Sequence, residues 1–152
     1  AADWWLAYYS LWIDENRVQI CDVIATVVDP NKWPVVFHCR AGKDRAGVVA
    51  GLVLSLVGVP STIIAEDYAM SAHYLLDRFI DMTPPEELPI NFGWEEFQQE
   101  YCPPEAMRKT LTHVESIYGS TEAYLIGGGV SQTHIDSLRA AFLSSNRLVG
   151  NA

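Results

Sequence analysis

Large apolar residues recur every three or four positions over most of this chain, a spacing that predicts helices with one buried face. In the second such stretch, residues 16–28, the side chains of Val18, Val23, Ile24 and Val27 are expected to face the core. The stretch after residue 45 is apolar nearly all round, which predicts a fully buried helix. Glycine and proline separate the stretches and predict where the helices end. The predicted helices span residues 3–12, 16–28, 45–57, 60–81 (as one helix or two), 105–118 and 133–143.

Two segments do not fit the helical spacing. The run Val35-Val36-Phe37 is too short for a helix and contains β-branched residues, which favours a buried strand. Residues 83–104 are irregular and rich in proline, and only Gly93–Phe97 predicts a short helix there. We expect this second segment to be either a lid over a pocket or a plain surface insertion.

A cysteine and an arginine bracket the loop that joins the predicted strand to the next helix. The loop reads His-Cys-Arg-Ala-Gly-Lys-Asp-Arg over residues 38–45. A loop that leads into a helix N-terminus offers unpaired amides and the positive end of the helix dipole, and both bind phosphate. Gly42 and Gly47 let the backbone turn sharply and approach a ligand. The predicted phosphate-binding residues are Arg40, Ala41, Gly42, Lys43, Asp44 and Arg45.

The two ends of the loop predict chemistry as well as binding. Arg45 can hold two phosphate oxygens with its planar guanidinium, which a lysine cannot do. The same electropositive surroundings are expected to lower the pKa of Cys39, so that a nucleophilic thiolate is available near neutral pH. Cys39 is therefore the predicted nucleophile of a phosphatase that forms a phosphocysteine, and Arg45 is its predicted phosphate clamp.

The other polar side chains of the loop each have two interpretations. Asp44 is either the general acid that protonates the leaving group or a structural carboxylate paired with a neighbouring cation. Lys43 and Arg40 either contact further substrate phosphates or only raise the local electrostatic potential. His38 is expected behind the loop, where it orients Cys39 through a hydrogen bond.

The loop resembles the Cys-X5-Arg signature of the protein tyrosine phosphatases. More narrowly, its Gly-Lys-Asp-Arg ending is similar to that of a bacterial and fungal group of tyrosine and dual-specificity phosphatases. Two later motifs look like landmarks of the same group: Asp-Tyr-Ala-Met-Ser at 67–71 and Tyr-Gly-Ser-Thr-Glu-Ala-Tyr-Leu at 118–125. The resemblance extends from about Trp4 to about Leu143.

The resemblance implies that Cys39 is the nucleophile, Arg45 the clamp and Asp44 the acid. It also permits phosphoinositide hydrolysis, because lipid phosphatases share a lysine in this loop. Relatives usually place threonine or serine after the arginine, where this chain has Ala46, so we expect slower turnover, above all in hydrolysis of the phosphoenzyme. Relatives also have a substantial N-terminal part with strands, whereas this chain begins 38 residues before Cys39 and without methionine. We therefore expect a fragment or a processed product.

Composition narrows the functions that the loop can serve. The net charge of −9 argues against nucleic-acid binding and against docking to anionic membranes. Arg40, Lys43 and Arg45 are three of only ten basic residues, so the loop is a local anion trap on an acidic body. Three cysteines without a CxxC pair argue against a disulfide framework, and no histidine or cysteine spacing predicts a metal site or a cofactor. The apolar stretch 48–59 is too short to insert into a membrane.

We predict one α/β domain over residues 1–152, with a cysteine-phosphatase-like, mainly parallel central sheet surrounded by helices and residues 35–37 as its middle strand. The predicted function is metal-independent hydrolysis of phosphotyrosine in proteins, extending to phosphoserine, phosphothreonine or phosphoinositides. The alternatives are a phosphate-binding module with little turnover, motivated by Ala46, and a cysteine redox sensor. The protein is expected in the cytoplasm, or outside the cell through a signal that this chain does not show, and the sequence leaves its oligomeric state open.

Overall fold

The computed structural model describes residues 2–90 and 92–143, and the fold of these residues is built from helices. The predicted domain 1–152 and the irregular segment 83–104 include residues 1, 91 and 144–152, which lie outside these ranges. Two short 3-10 turns, Pro30–Lys32 and Pro85–Glu87, lie in the connections. The helices are α1 (Ala2–Glu15), α2 (Arg17–Val28), α3 (Asp44–Leu56), α4 (Ser61–Ala69), α5 (Ser71–Met82), α6 (Trp94–Tyr101), α7 (Pro104–Tyr118), α8 (Thr121–Gly127) and α9 (Gln132–Leu143).

The helices predicted from the apolar spacing are confirmed to within a few residues. The stretch 60–81 forms two helices, α4 and α5, which meet at Met70. Gly58 and Gly119 follow α3 and α7 with φ angles of +84° and +87°, a conformation that ends a helix readily at glycine. Ser120 then caps α8 by accepting a hydrogen bond from the amide of Ala123.

The predicted α/β architecture is wrong for the described part of the chain. Residues 35–39 run between helices without regular structure, and none of residues 2–90 and 92–143 forms a strand. A strand is held by hydrogen bonds to a neighbouring strand, and no described segment supplies that partner. Val36, the expected centre of a buried sheet, is 90% exposed. The described fold is therefore all-helical, with no parallel sheet.

The core forms around α7, which packs against α1, α3, α4 and α8. Small residues on α3 allow these helices to approach closely. A Cβ atom at Gly47 would lie 3.1 Å from the ring of Tyr68, and one at Gly51 would lie 3.0 Å from the sulfur of Met107. This packing fixes the N-terminus of α3, where the loop described below ends.

Helix α2 turns a different face inward than the sequence predicts. Ile24 is fully buried as expected, but Val18 and Val23 are 62% and 44% exposed. The buried face includes Ile20 and Val28 instead, because α2 packs against α1, α3 and α9. Val23 is thereby left on the wall of a cavity next to the loop.

Helix α8 holds the α1–α2 hairpin in place. The guanidinium of Arg17 donates to the carbonyl of Tyr124 with Nε at 3.0 Å and Nη2 at 2.6 Å. The hydroxyl of Tyr124 donates in turn to the carbonyl of Ile13 at 2.9 Å. Gly127 and Gly128 end α8, and they also leave room for Arg17 and Cys21, which any larger residue would strike. These contacts set one wall of the cavity beside the loop.

The helices in the described ranges are not suited to crossing a bilayer, since none combines the required length with the required apolar character.

Candidate active site

The loop at 40–43 reverses the chain between residues 35–39 and α3. Gly42 has a φ of +75°, a left-handed conformation that strains any residue with a side chain, although space is open around it. The turn directs the amides of Ala46, Gly42 and Ala41 toward the sulfur of Cys39. The sequence therefore folds here into a cradle of N–H donors around one thiol, at the N-terminus of α3.

The cradle changes the acidity of Cys39. Burial alone would raise the pKa of this thiol, but the three amides and the charge of Arg45 outweigh burial, and the pKa is lowered. The predicted thiolate thus has a physical cause in the loop. Ala46 contributes its backbone amide to this effect, although its side chain has no hydroxyl.

A cavity of about 400 Å³ opens in front of Cys39. Arg40 and Arg45 are both exposed and line it, and within residues 2–90 and 92–143 neither guanidinium has a carboxylate partner. Their charges are therefore available to an anion. The lining residues outside the loop are mostly apolar and come from α1, α2 and α3 and from residue 37. They are Trp12, Asn16, Gln19, Ile20, Val23, Phe37 and Val49.

Lys43 lies outside this cavity, in the protein interior. It is 6% exposed, and its ammonium donates to the carbonyl of Tyr101 at 2.5 Å and lies 3.1 Å from Oδ1 of Asp44. The same nitrogen lies 3.6 Å above the ring of Trp5, a cation–π contact. Removing an ammonium from water costs on the order of several kcal/mol, which these three partners offset. The charge of Lys43 therefore anchors the loop to α1 and α6, and this side chain is not in position to bind a second phosphate.

Asp44, the first residue of α3, faces a pair of buried tyrosines. Its Oδ1 accepts a hydrogen bond of 2.7 Å from the hydroxyl of Tyr9, and that hydroxyl lies 2.7 Å from the hydroxyl of Tyr68. Burial raises the pKa of both tyrosines far above the ordinary range, with the neighbouring hydroxyl and Asp44 adding to the effect at Tyr9. The side chain of Asp44 remains 31% exposed, but it is not among the residues that line the cavity.

Sequence reasoning missed Tyr9 and Tyr68. Tyr9 falls in the helix predicted at 3–12 and Tyr68 in the motif at 67–71, and neither pattern indicates a role for the hydroxyl. A buried tyrosine hydroxyl needs a hydrogen-bond partner, so the need for one could have been stated from the sequence, but not its identity. The partner of Tyr9 is Asp44, 35 residues later in the chain.

The remaining loop residues are placed as follows. His38 is exposed, and its Nδ1 lies 3.3 Å from the carbonyl oxygen of Cys39 rather than from the sulfur. Its predicted role of orienting the cysteine stays a prediction. Gly47, in the first turns of α3, has no side chain and so leaves room for the ring of Tyr68.

The other two cysteines differ from Cys39 in exposure. Cys21 and Cys102 are buried, and burial raises the pKa of both thiols, to about 11 for Cys102. All three cysteines are free. Among the residues that the structure describes, no group of three or more His, Cys, Asp or Glu side chains could hold a metal ion. Because Cys39 is the most exposed of the three thiols, a thiol reagent is expected to react with it first.

Alkylation of Cys39 by iodoacetamide is expected to depend on pH in a way that reports the lowered pKa. A lowered pKa means that the thiolate, the reactive form, is already populated at a pH where an ordinary cysteine is protonated. The rate, followed by mass spectrometry of the Cys39 peptide, should therefore rise to its plateau at a lower pH in the folded protein than in the same protein unfolded in urea. A midpoint equal to or above that of the unfolded chain would contradict the cradle.

Comparison with known proteins finds a matching family model and several similar proteins. The family model described as "Tyrosine phosphatase family" matches residues 1–144. A "Tyrosine-protein phosphatase" of Nostoc commune is 33% identical over 141 residues, which cover 86% of this chain and 46% of that protein. The "Triple specificity protein phosphatase PtpB" of Mycobacterium tuberculosis is 32% identical over 126 residues, covering 72% of this chain and 44% of that protein.

A shorter match joins this chain to a yeast protein. The "Tyrosine-protein phosphatase-like protein OCA2" of Saccharomyces cerevisiae is 30% identical over 71 residues, 43% of this chain and 36% of that protein. The chain spans about half the length of the first two relatives. The family model covers nearly the whole chain, including the cysteine-to-arginine loop and both later motifs. The chain therefore belongs to the tyrosine phosphatase family.

Proposed function

We propose that the protein is a cysteine-dependent, metal-independent phosphatase that hydrolyses phosphotyrosine. One observation carries the proposal: Cys39, with its lowered pKa, and Arg45, which has no carboxylate partner among the described residues, line a cavity whose remaining lining is mostly apolar. A phosphotyrosine side chain has matching groups, a dianion and an aromatic ring. The family membership supports the same activity.

The first step transfers the phosphoryl group to the enzyme. The thiolate of Cys39 attacks phosphorus, so the S–P bond forms while the bond from phosphorus to the tyrosyl oxygen breaks. The guanidinium of Arg45 and the amides of residues 40–45 stabilise the charge on the three equatorial oxygens. The proposed acid, Asp44, gives its proton to the departing phenolate.

The second step regenerates the enzyme. Water attacks the phosphorus of phosphocysteine, the S–P bond breaks, and inorganic phosphate leaves. Asp44, now ionised, accepts the proton of the attacking water. Because Ala46 offers no hydroxyl to stabilise the departing thiolate, we expect this step to be slower than the first.

The placement of Lys43 bears on the choice between protein and lipid substrates. The resemblance permitted phosphoinositide hydrolysis on the strength of this lysine, but its ammonium is committed to Tyr101, Asp44 and Trp5. Arg40 is the remaining exposed cation of the cavity wall outside the clamp. We therefore propose phosphotyrosine as the preferred substrate and phosphoinositides and phosphoserine or phosphothreonine as poorer ones.

A second candidate is a phosphate-binding module with little turnover. Ala46 favours it, because slow hydrolysis of the phosphoenzyme leaves binding as the main property. The retention of both Cys39 and Arg45 favours the enzyme.

Hydrolysis assays in the presence of EDTA test the proposal. Phosphate release is measured from a phosphotyrosine peptide, the matching phosphoserine peptide and a soluble phosphoinositide. We expect turnover of all three to be unaffected by EDTA and kcat/KM to be highest for the phosphotyrosine peptide. Phosphate binding by the folded protein, without release from any of the three substrates, would favour the binding module.

A further inference from the structure

The two oxygens of the Asp44 carboxylate have different surroundings. Oδ1 accepts a hydrogen bond from the hydroxyl of Tyr9 at 2.7 Å and lies 3.1 Å from the ammonium of Lys43. Oδ2 accepts no hydrogen bond from the described residues. A proton on Oδ1 would face the hydroxyl that already donates to that atom and the positive charge of Lys43, whereas a proton on Oδ2 would face no hydrogen-bond donor among the described residues. The asymmetry determines which oxygen can hold a transferable proton.

Proton counting fixes the direction of the hydrogen bonds behind Asp44. A tyrosine hydroxyl has one proton, and that of Tyr9 is directed at Oδ1. The contact of 2.7 Å between the hydroxyls of Tyr9 and Tyr68 must then be donated by Tyr68. Tyr9 is fully buried and Tyr68 is 4% exposed, so water does not compete for these bonds. The chain of donors runs from Tyr68 to Tyr9 to Asp44.

We propose that Tyr9 is a positioning residue for the acid step, holding Asp44 by Oδ1 so that Oδ2 carries the proton given to the leaving group. This inference rests on the proposed function, since it assigns an atom and a support to the acid of that reaction. Tyr9 comes from α1, far from the loop in sequence, and is fixed by the core on which α3 also packs. Lys43 holds the same oxygen but shares its ammonium with the carbonyl of Tyr101. Tyr9 therefore supplies the shortest contact to the carboxylate.

The matched variants are Tyr9→Phe and Tyr68→Phe. Each removes one buried hydroxyl and the same bond between the two tyrosines, so both should lower the unfolding midpoint. Only Tyr9→Phe also removes the bond to Asp44. Tyr9→Phe should therefore lower the midpoint further, and the assays are run at a temperature below both midpoints, where both proteins are folded. An effect of Tyr9→Phe on catalysis beyond that of Tyr68→Phe is then due to the carboxylate. Asp44→Asn is the reference, because it removes the acid and keeps the shape.

Two substrates separate positioning of an acid from a general defect. A phosphotyrosine peptide expels a phenolate that needs a proton, whereas a dinitrophenyl phosphate expels one that does not. The comparison uses kcat/KM, which reports the first step, in which the leaving group departs. For the peptide we expect kcat/KM to fall about 100-fold in Asp44→Asn, within the usual range for loss of an acid, and about 5- to 10-fold in Tyr9→Phe. For the dinitrophenyl ester both variants should stay within about twofold of the unmodified protein, and Tyr68→Phe should do so for both substrates.

The outcomes distinguish this inference from the function on which it rests. Suppose that Asp44→Asn lowers kcat/KM only for the peptide, and that Tyr9→Phe and Tyr68→Phe have the same kcat/KM on each substrate. The positioning role of Tyr9 is then overturned, and Asp44 remains the proposed acid. If Asp44→Asn lowers kcat/KM equally for both substrates, or for neither, Asp44 is not the acid, and the proposal for Tyr9 is overturned as well. A leaving-group dependence in Tyr9→Phe that Tyr68→Phe lacks supports the assignment.

Discussion

Replacing Cys39 with serine is expected to abolish hydrolysis of a phosphotyrosine peptide. The serine hydroxyl has nearly the same size, but it is not ionised near neutral pH, so neither the cradle amides nor Arg45 can provide an anionic nucleophile. We expect kcat/KM to fall by about 10⁴-fold or more, the scale of losing a covalent nucleophile. Phosphate binding should persist, because the amides and both arginines of the cavity are unchanged.

A second cysteine serves as the control for this variant. Cys21 is buried against Gly128, away from the cavity wall, so Cys21→Ala should lower stability modestly and leave kcat/KM unchanged. Steady-state phosphate release from freshly prepared protein gives both values. If Cys39→Ser retained more than about one per cent of the activity of the Cys21→Ala protein, the cysteine mechanism would fail.

Replacing Arg45 with lysine is expected to have the second largest effect. Lysine keeps the positive charge but loses the planar pair of donors that can hold two phosphate oxygens at once. The same charge also helps to lower the pKa of Cys39, and the flexible ammonium is not held in that position. We expect kcat/KM for the peptide to fall by about 10²- to 10³-fold, the usual result of losing one donor to a transition-state oxyanion.

Arg78 provides the matched control. It is an exposed arginine on α5 and does not line the cavity, so Arg78→Lys makes the same chemical change away from the loop. Its kcat/KM should equal that of the unmodified protein. Comparable activity in Arg45→Lys and Arg78→Lys would show that bidentate binding of phosphate is not part of the reaction.

Much of the loop could be predicted from the sequence because its properties are local. A glycine between a cysteine and an arginine, next to a buried helix, determines where amides and charges can lie within a few residues. The ends of the helices were predictable for the same reason, since Gly58, Gly119 and Ser120 act on the turn in which they occur. Whether residues 35–37 form a strand does not depend on these residues alone, because a strand exists only if another segment pairs with it.

The directions of the side chains in the loop could not be predicted from the sequence either. The same ammonium can reach a ligand or a carbonyl, and Lys43 reaches that of Tyr101, 58 residues away. The bond from Tyr9 to Asp44 likewise depends on how α1 packs beside α3. On α2, periodicity gave the correct helix but placed Val18 and Val23 on the wrong face. Val23 lies on the cavity wall, and an apolar residue there is indistinguishable in sequence from one in the core.

Trapping the phosphoenzyme tests the central claim most directly. The protein is mixed with excess phosphotyrosine peptide, quenched with acid within one turnover, digested and analysed by mass spectrometry. We predict one phosphoryl group on the peptide that contains Cys39, accumulating because the second step is the slower one, and none in Cys39→Ser. Phosphate release without any phosphoryl group on that peptide, or with the group on another residue, would contradict the proposed mechanism.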